Sequence, residues 1–120
     1  MGAKIAIYGN RSQTQNIEGL QLFLSYLLES GFRVYLQTRY AQYLCAQGIE
    51  TGEAVPVDSL PPGVELVVSL GGDGTFLRAA AWVGEKEIPI VGINTGHLGY
   101  LSACGLDEAK EMVEIGVFNS

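Results

Sequence analysis

The stretch Leu66-Val67-Val68-Ser69-Leu70-Gly71-Gly72-Asp73-Gly74-Thr75 decides the fold. Leu66 to Leu70 is apolar apart from Ser69 and shows no strict alternation, the pattern of a central strand covered on both faces. It runs directly into a glycine-rich turn, and Phe76 to Val83 beyond the turn reads as a helix. Strand, tight turn and helix in that order open a parallel crossover unit.

The flanking sequence repeats the alternation. Lys4–Gly9 reads as a short buried strand, and the polar stretch Asn10–Gln15 leads into a helix. In that helix Ile17, Leu20, Leu24, Leu27 and Leu28 share one face, Glu18, Gln21, Ser25 and Glu29 lie opposite, and Ser30-Gly31 stops it. Arg33–Gln37 is a second strand and Tyr40–Gln47 a short helix closed by Gly48. Ile49–Gly63 is mostly connection, with a small strand at Ala54–Val57 and Pro61-Pro62-Gly63 marking the return to the sheet. Ile90–Ile93 is another buried strand, Asn94–Gly99 a loop, and Leu106–Val113 a weaker amphipathic helix. The expected class is therefore α/β: a Rossmann-like, doubly wound, mostly parallel sheet with helices on both faces, one domain over residues 1–120. Val117-Phe118-Asn119-Ser120 places apolar residues in a tail with no further element to pack into, so the chain is expected to be part of a longer protein.

Composition narrows the partners. With 120 residues and 48% of them hydrophobic, the chain can bury one core. Seven basic residues against 13 acidic, net charge -6, and no basic run leave nothing to grip a polynucleotide backbone. No nucleic acid and no membrane partner are expected, since every apolar run is shorter than the roughly 18 residues a span needs. Cys45 and Cys104 are the only cysteines, and the N-terminus has no apolar export segment, so a disulfide framework is disfavoured and the expected location is cytoplasmic.

The chemistry sits in the glycine turn. Ligands of parallel α/β sheets bind at the carboxyl ends of strands, where Gly71–Thr75 lies. Gly71, Gly72 and Gly74 allow backbone N–H groups to approach phosphate oxygens and permit positive φ. Thr75 can cap the helix behind them. Asp73 would be repelled by bound phosphates unless a divalent cation bridges them or the acid faces an attacking hydroxyl, and either role belongs to phosphoryl transfer. A lone Asp-Gly is more often a plain turn, but three glycines around one acid favour the functional reading. His97, the single histidine, has no Cys or His partner at ligand spacing, so no protein-held metal site is expected.

Gly71-Gly72-Asp73-Gly74-Thr75 resembles the shared motif of a kinase superfamily that includes NAD kinases, diacylglycerol and sphingosine kinases and, with a related loop, 6-phosphofructokinases. Gly92-Ile93-Asn94-Thr95-Gly96-His97-Leu98-Gly99-Tyr100-Leu101 resembles the Asn-x-Gly-x-Leu-Gly-Phe-Leu stretch of NAD kinases, with Tyr100 in place of Phe. The resemblance implies an enzyme that transfers a phosphoryl group from ATP to the adenosine ribose 2'-hydroxyl of NAD, with a divalent cation such as Mg²⁺. It implies Asp73 as the catalytic proton acceptor and Gly74 as a dinucleotide contact. Gly71, Gly72, Asp73, Gly74, Thr75, Arg78 and Asn94 form the candidate nucleotide-binding set, with Arg78 either a ligand-side cation or a solvated helix residue and Asn94 shaping its loop. NAD kinases carry a second, β-rich domain with an Asn-Glu motif and most of the NAD surface, and assemble as dimers or tetramers. Nothing in these 120 residues plays that part, so the chain alone is expected to be nearly inactive.

Several alternatives compete with that reading. A lipid kinase would share the loop but not the second segment. A sugar-phosphate kinase calls for more arginines than Arg11, Arg33, Arg39 and Arg78. A receiver-like signalling domain needs acids where Gly9-Asn10-Arg11 stands, and a dinucleotide-binding dehydrogenase needs a Gly-x-Gly-x-x-Gly after the first strand.

Overall fold

A computed structural model describes residues 2–10, 17–94 and 103–118. Its elements in chain order are β1 (Lys4–Gly9), α1 (Ile17–Glu29), β2 (Arg33–Gln37), α2 (Thr38–Ala46), β3 (Val55–Val57), β4 (Val64–Gly71), α3 (Asp73–Val83), β5 (Ile90–Asn94) and α4 (Ala103–Phe118). The five strands form one parallel sheet in the order β3-β2-β1-β4-β5. Chain direction across the sheet reverses between β1 and β4, so the carboxyl ends of those two strands frame the crevice where such sheets take ligands.

Burial explains why β4 lacks alternation. Glu65 is exposed, but Leu66 to Gly71 are all buried because both faces of the strand are covered. On one face Ile5, Ile7, Val34, Leu36, Leu66, Val68, Leu70 and Ile93 pack under α1, α2 and α4. On the other, Ala6 and Val67 meet Ala79 and Val83 of α3. Phe23, unassigned in the helical pattern, is 1% exposed and joins Leu20, Leu24 and Leu27 in the core, while Leu28 is only half-buried.

The return from β3 to β4 departs from the usual crossover, which takes about a dozen residues and usually a helix. Residues 58–63 make it without one. Leu60 is pressed into the α3 face of the core, Trp82 Nε1 of α3 donates to the Asp58 carbonyl at 2.9 Å, and Thr38 of α2 donates to the Asp58 carboxylate at 2.6 Å. The segment thus fills space a helix would occupy.

Several boundaries differ from expectation, and three of them have local reasons. The second helix begins at Thr38 rather than Tyr40, because the Gln37 side chain accepts the Tyr40 N–H at 3.1 Å and so caps the helix straight off β2. It ends as foreseen, with Gly48 at φ 81° and the Ile49 N–H returning to the Leu44 carbonyl at 3.0 Å. The third strand starts at Val55, since the Ala54 N–H is spent on a turn bond to Thr51. The last helix does not stop at Val113: it runs to Phe118, and Val117, expected in an unpacked tail, lies against the core. Gly116 permits this, because a Cβ there would sit 2.9 Å from Leu66 Cδ1. No helix among the described residues is long and apolar enough to cross a membrane.

α4 is clasped to α1 by the Tyr26 hydroxyl, which donates to Glu114 Oε2 at 2.6 Å, with Lys110 Nζ 5.0 Å from the ring centroid. Desolvation, then the hydrogen bond to Glu114, push the Tyr26 pKa up from 10.0 to about 12. The neutral phenol is therefore the form that folding favours. Its contribution should be complete below pH 10 and fade as pH rises toward 12. Urea unfolding of wild type and Tyr26→Phe across that range should show a stability difference that shrinks with rising pH; a constant difference would contradict the clasp.

Candidate functional site

β4 delivers Gly71-Gly72 to the carboxyl edge, and α3 begins at once with Asp73. The helix starts three residues earlier than the sequence implied, so Gly72, not Thr75, is its N-cap residue. Gly72 has no side chain to offer and no side-chain cap bond forms there. The first intrahelical bond runs from the Phe76 N–H to the Gly72 carbonyl at 3.0 Å. The N–H groups of Asp73, Gly74 and Thr75 therefore lack intrahelical acceptors and point out of the helix start, which is the geometry that receives an anion.

Thr75 has a different task from the capping expected of it. It is 1% exposed, tucked under Gly71 so closely that a Gly71 side chain would stand 2.7 Å from Thr75 Cβ. Nor does Gly74 need a positive φ: among the described residues the glycines in that region are Gly31, Gly48, Gly52, Gly63 and Gly84, while Gly74 is helical. A Cβ on Gly74 would meet nothing nearer than Arg78 Nη1 at 3.7 Å. What its missing side chain provides is open approach to the exposed helix start.

A cavity of about 300 Å³ opens beside the turn, lined by Ser69, Gly71, Gly72, Asp73, Phe76, Gly92, Ile93 and Asn94. Of the candidate residues this brings together Gly71, Gly72, Asp73 and Asn94, with Gly71 and Asn94 paired across β4 and β5. Thr75 lies beneath. Arg78 is exposed, turned away from this cavity, with Nη2 at 3.5 Å from Thr75 Oγ1. Asp73 is exposed. Ser69, Phe76 and Gly92 were not anticipated as lining residues. The signal for Gly92 was a glycine inside a strand, which marks close approach: a Cβ there would lie 2.9 Å from Phe76 Cδ1. The readings of Gly96, His97, Gly99, Tyr100 and Leu101 lie outside the described residues. A larger cavity, about 540 Å³, lies at the opposite edge near Gly31–Tyr35 and Val55, but strand starts offer no helix N-terminus and no glycine turn.

Among the described residues no group of three or more His, Cys, Asp or Glu could hold a metal ion. Asp73 is the one carboxylate among the described residues that line the cavity.

A family model describing the ATP-NAD kinase N-terminal domain matches residues 5–115, a span that contains the whole sheet except Lys4, the glycine turn and the cavity. The chain belongs to this family. The NAD kinase of Porphyromonas gingivalis is 35% identical over 112 residues, covering 92% of this chain and 38% of that protein. That of Bacteroides fragilis is 32% identical over 114 residues, covering 92% and 39%. The chain thus spans about two fifths of these relatives' length. A crystal structure of yeast NADH kinase complexed with NADH superposes with a TM-score of 0.69 at 22% identity, covering 98% of this chain and 36% of that one, and shares its fold.

Two glycine substitutions separate packing from ligand access. Gly71→Ala should destabilise the fold by about 1–3 kcal/mol through collision with Thr75. Gly74→Ala should leave stability unchanged or raise it by up to about 1 kcal/mol. Urea unfolding of both variants measures this, and the reverse order would overturn the assignment.

Proposed function

We propose that this chain supplies the phosphate-binding and proton-accepting part of an enzyme that phosphorylates NAD, with ATP as donor and the adenosine ribose 2'-hydroxyl as acceptor. The observation that carries the reading is Asp73, exposed in the first turn of a helix whose N-terminus has no side-chain cap, inside the span that matches the family.

In this reading the N–H groups of Asp73, Gly74 and Thr75 receive phosphate oxygens, and Gly71 and Gly72 keep the approach clear. Asn94 borders the acceptor side of the cavity. Asp73 orients the ribose hydroxyl. As the hydroxyl oxygen bonds to the terminal phosphorus, the bond from that phosphorus to the bridging oxygen breaks and leaves ADP, while the hydroxyl proton passes late to the Asp73 carboxylate. The divalent cation, Mg²⁺ by its ordinary pairing with ATP, enters with the donor. Since the chain covers about 38% of a relative's length, most of the dinucleotide surface would come from a further, β-rich segment, with assembly into a homo-oligomer and a cytoplasmic setting following the family.

The test is NADP formation from NAD and MgATP by the chain together with any sequence its reading frame encodes after Ser120. The parent should form NADP, and Asp73→Asn should fold normally and lose roughly 10²- to 10⁴-fold in kcat. Near-normal turnover in the variant would end the role of Asp73, and a folded parent that leaves NAD untouched would end the substrate assignment.

A further inference from the structure

The cavity of about 540 Å³ at the strand starts has Leu28, Phe32, Arg33, Tyr35, Glu53 and Val55 among its walls. Val55 is 47% exposed, and its register partner Tyr35, like Leu28 and Phe32, is only half-buried. Apolar surface of this kind, left open to water in one place, marks a contact face. The strand beside it closes one way of using that face. β3 is a three-residue edge strand whose middle residue is Pro56, and proline has no N–H to offer a further strand. A partner here meets side chains rather than extending the sheet.

The same patch carries one charge of each sign. Arg33 and Glu53 are both exposed, and among the described residues neither side chain has a hydrogen bond or an ion pair, with the other or with any third group. The fold holds both in place. Arg33 opens β2, with its N–H donating to the Ala3 carbonyl at 2.9 Å. Glu53 sits in a turn that the Ala54 N–H closes on the Thr51 carbonyl at 3.0 Å. That turn rests on α1, where a Cβ on Gly52 would lie 3.2 Å from Leu28 Cδ1.

We infer that this patch docks a second copy of the chain about a two-fold axis, with Glu53 of each copy meeting the partner's Arg33. A two-fold contact uses the same surface twice, so a patch with one unpaired charge of each sign around an apolar centre is complementary to itself. The net charge of -6 makes the contact selective: two copies repel in most orientations and attract where opposite charges are brought together. Val55 and its neighbours form the apolar centre, and the two ion pairs form the rim. The patch lies at the sheet edge opposite the glycine turn, so association leaves that turn open and does not depend on the phosphoryl-transfer reading.

The experiment is sedimentation velocity on the complete protein over a range of concentrations, as wild type, Arg33→Glu and Glu53→Arg. Each variant alone sets like charges against each other and should weaken self-association by about tenfold or more. Where other segments also hold copies together, the loss reads as a halved assembly. Mixed in equal amounts, the two variants should associate with one another about as tightly as wild type does with itself, because both contacts then pair opposite charges. Mixing cannot repair a misfolded chain, so rescue separates the contact from a structural effect. Should a reversal unfold the protein, Arg33→Gln and Glu53→Gln carry the test, each with a smaller loss. A monomeric wild type gives the patch to another occupant and overturns the inference. So does assembly unchanged by the substitutions, which places the contact elsewhere, or folded variants that stay apart when mixed.

Discussion

The close packing of Thr75 under Gly71 sets where everything else at the carboxyl edge can stand. Because Gly71 has no side chain, the first turn of α3 drops onto the end of β4 and the helix begins without a loop. A longer connection would have carried the helix start away from the sheet and given a cap residue the chance to satisfy its N–H groups. Here those groups face outward at the point where the sheet reverses direction, between β1 and β4. Asp73 occupies the first helical position, so its carboxylate is tied to the anion-receiving N–H groups by a few bonds of rigid helix.

The order and class of the elements were legible because each strand and helix carries its own period. Lys4–Gly9 and Arg33–Gln37 were assigned to the residue, and the both-faces burial of β4 followed from its unbroken apolar run. The start of α3 was not legible, because Asp-Gly is the signature of a turn and its helical conformation here is imposed by tertiary contact with β4. The extension of α4 past Val113 was not legible either, because it depends on Gly116 letting the helix approach Leu66. The cap at Gln37 was hidden because glutamine is not among the usual capping residues.

Within the site, the catalytic candidate and the glycines were visible as a motif, whereas the residues around them depended on pairing across strands. Ser69 faces the cavity because its register partner is Gly92, and Phe76 can lie over β5 only because that partner has no side chain.

The exposed N-terminus of α3 is proposed as the phosphate-receiving centre of the molecule. Titrating isotope-labelled protein with ATP while following backbone amide resonances tests it most directly. The amides of Asp73, Gly74 and Thr75 should shift most, with saturation at a common affinity. Shifts confined to the opposite edge near Gly31–Tyr35, with the α3 amides unmoved, would contradict the account.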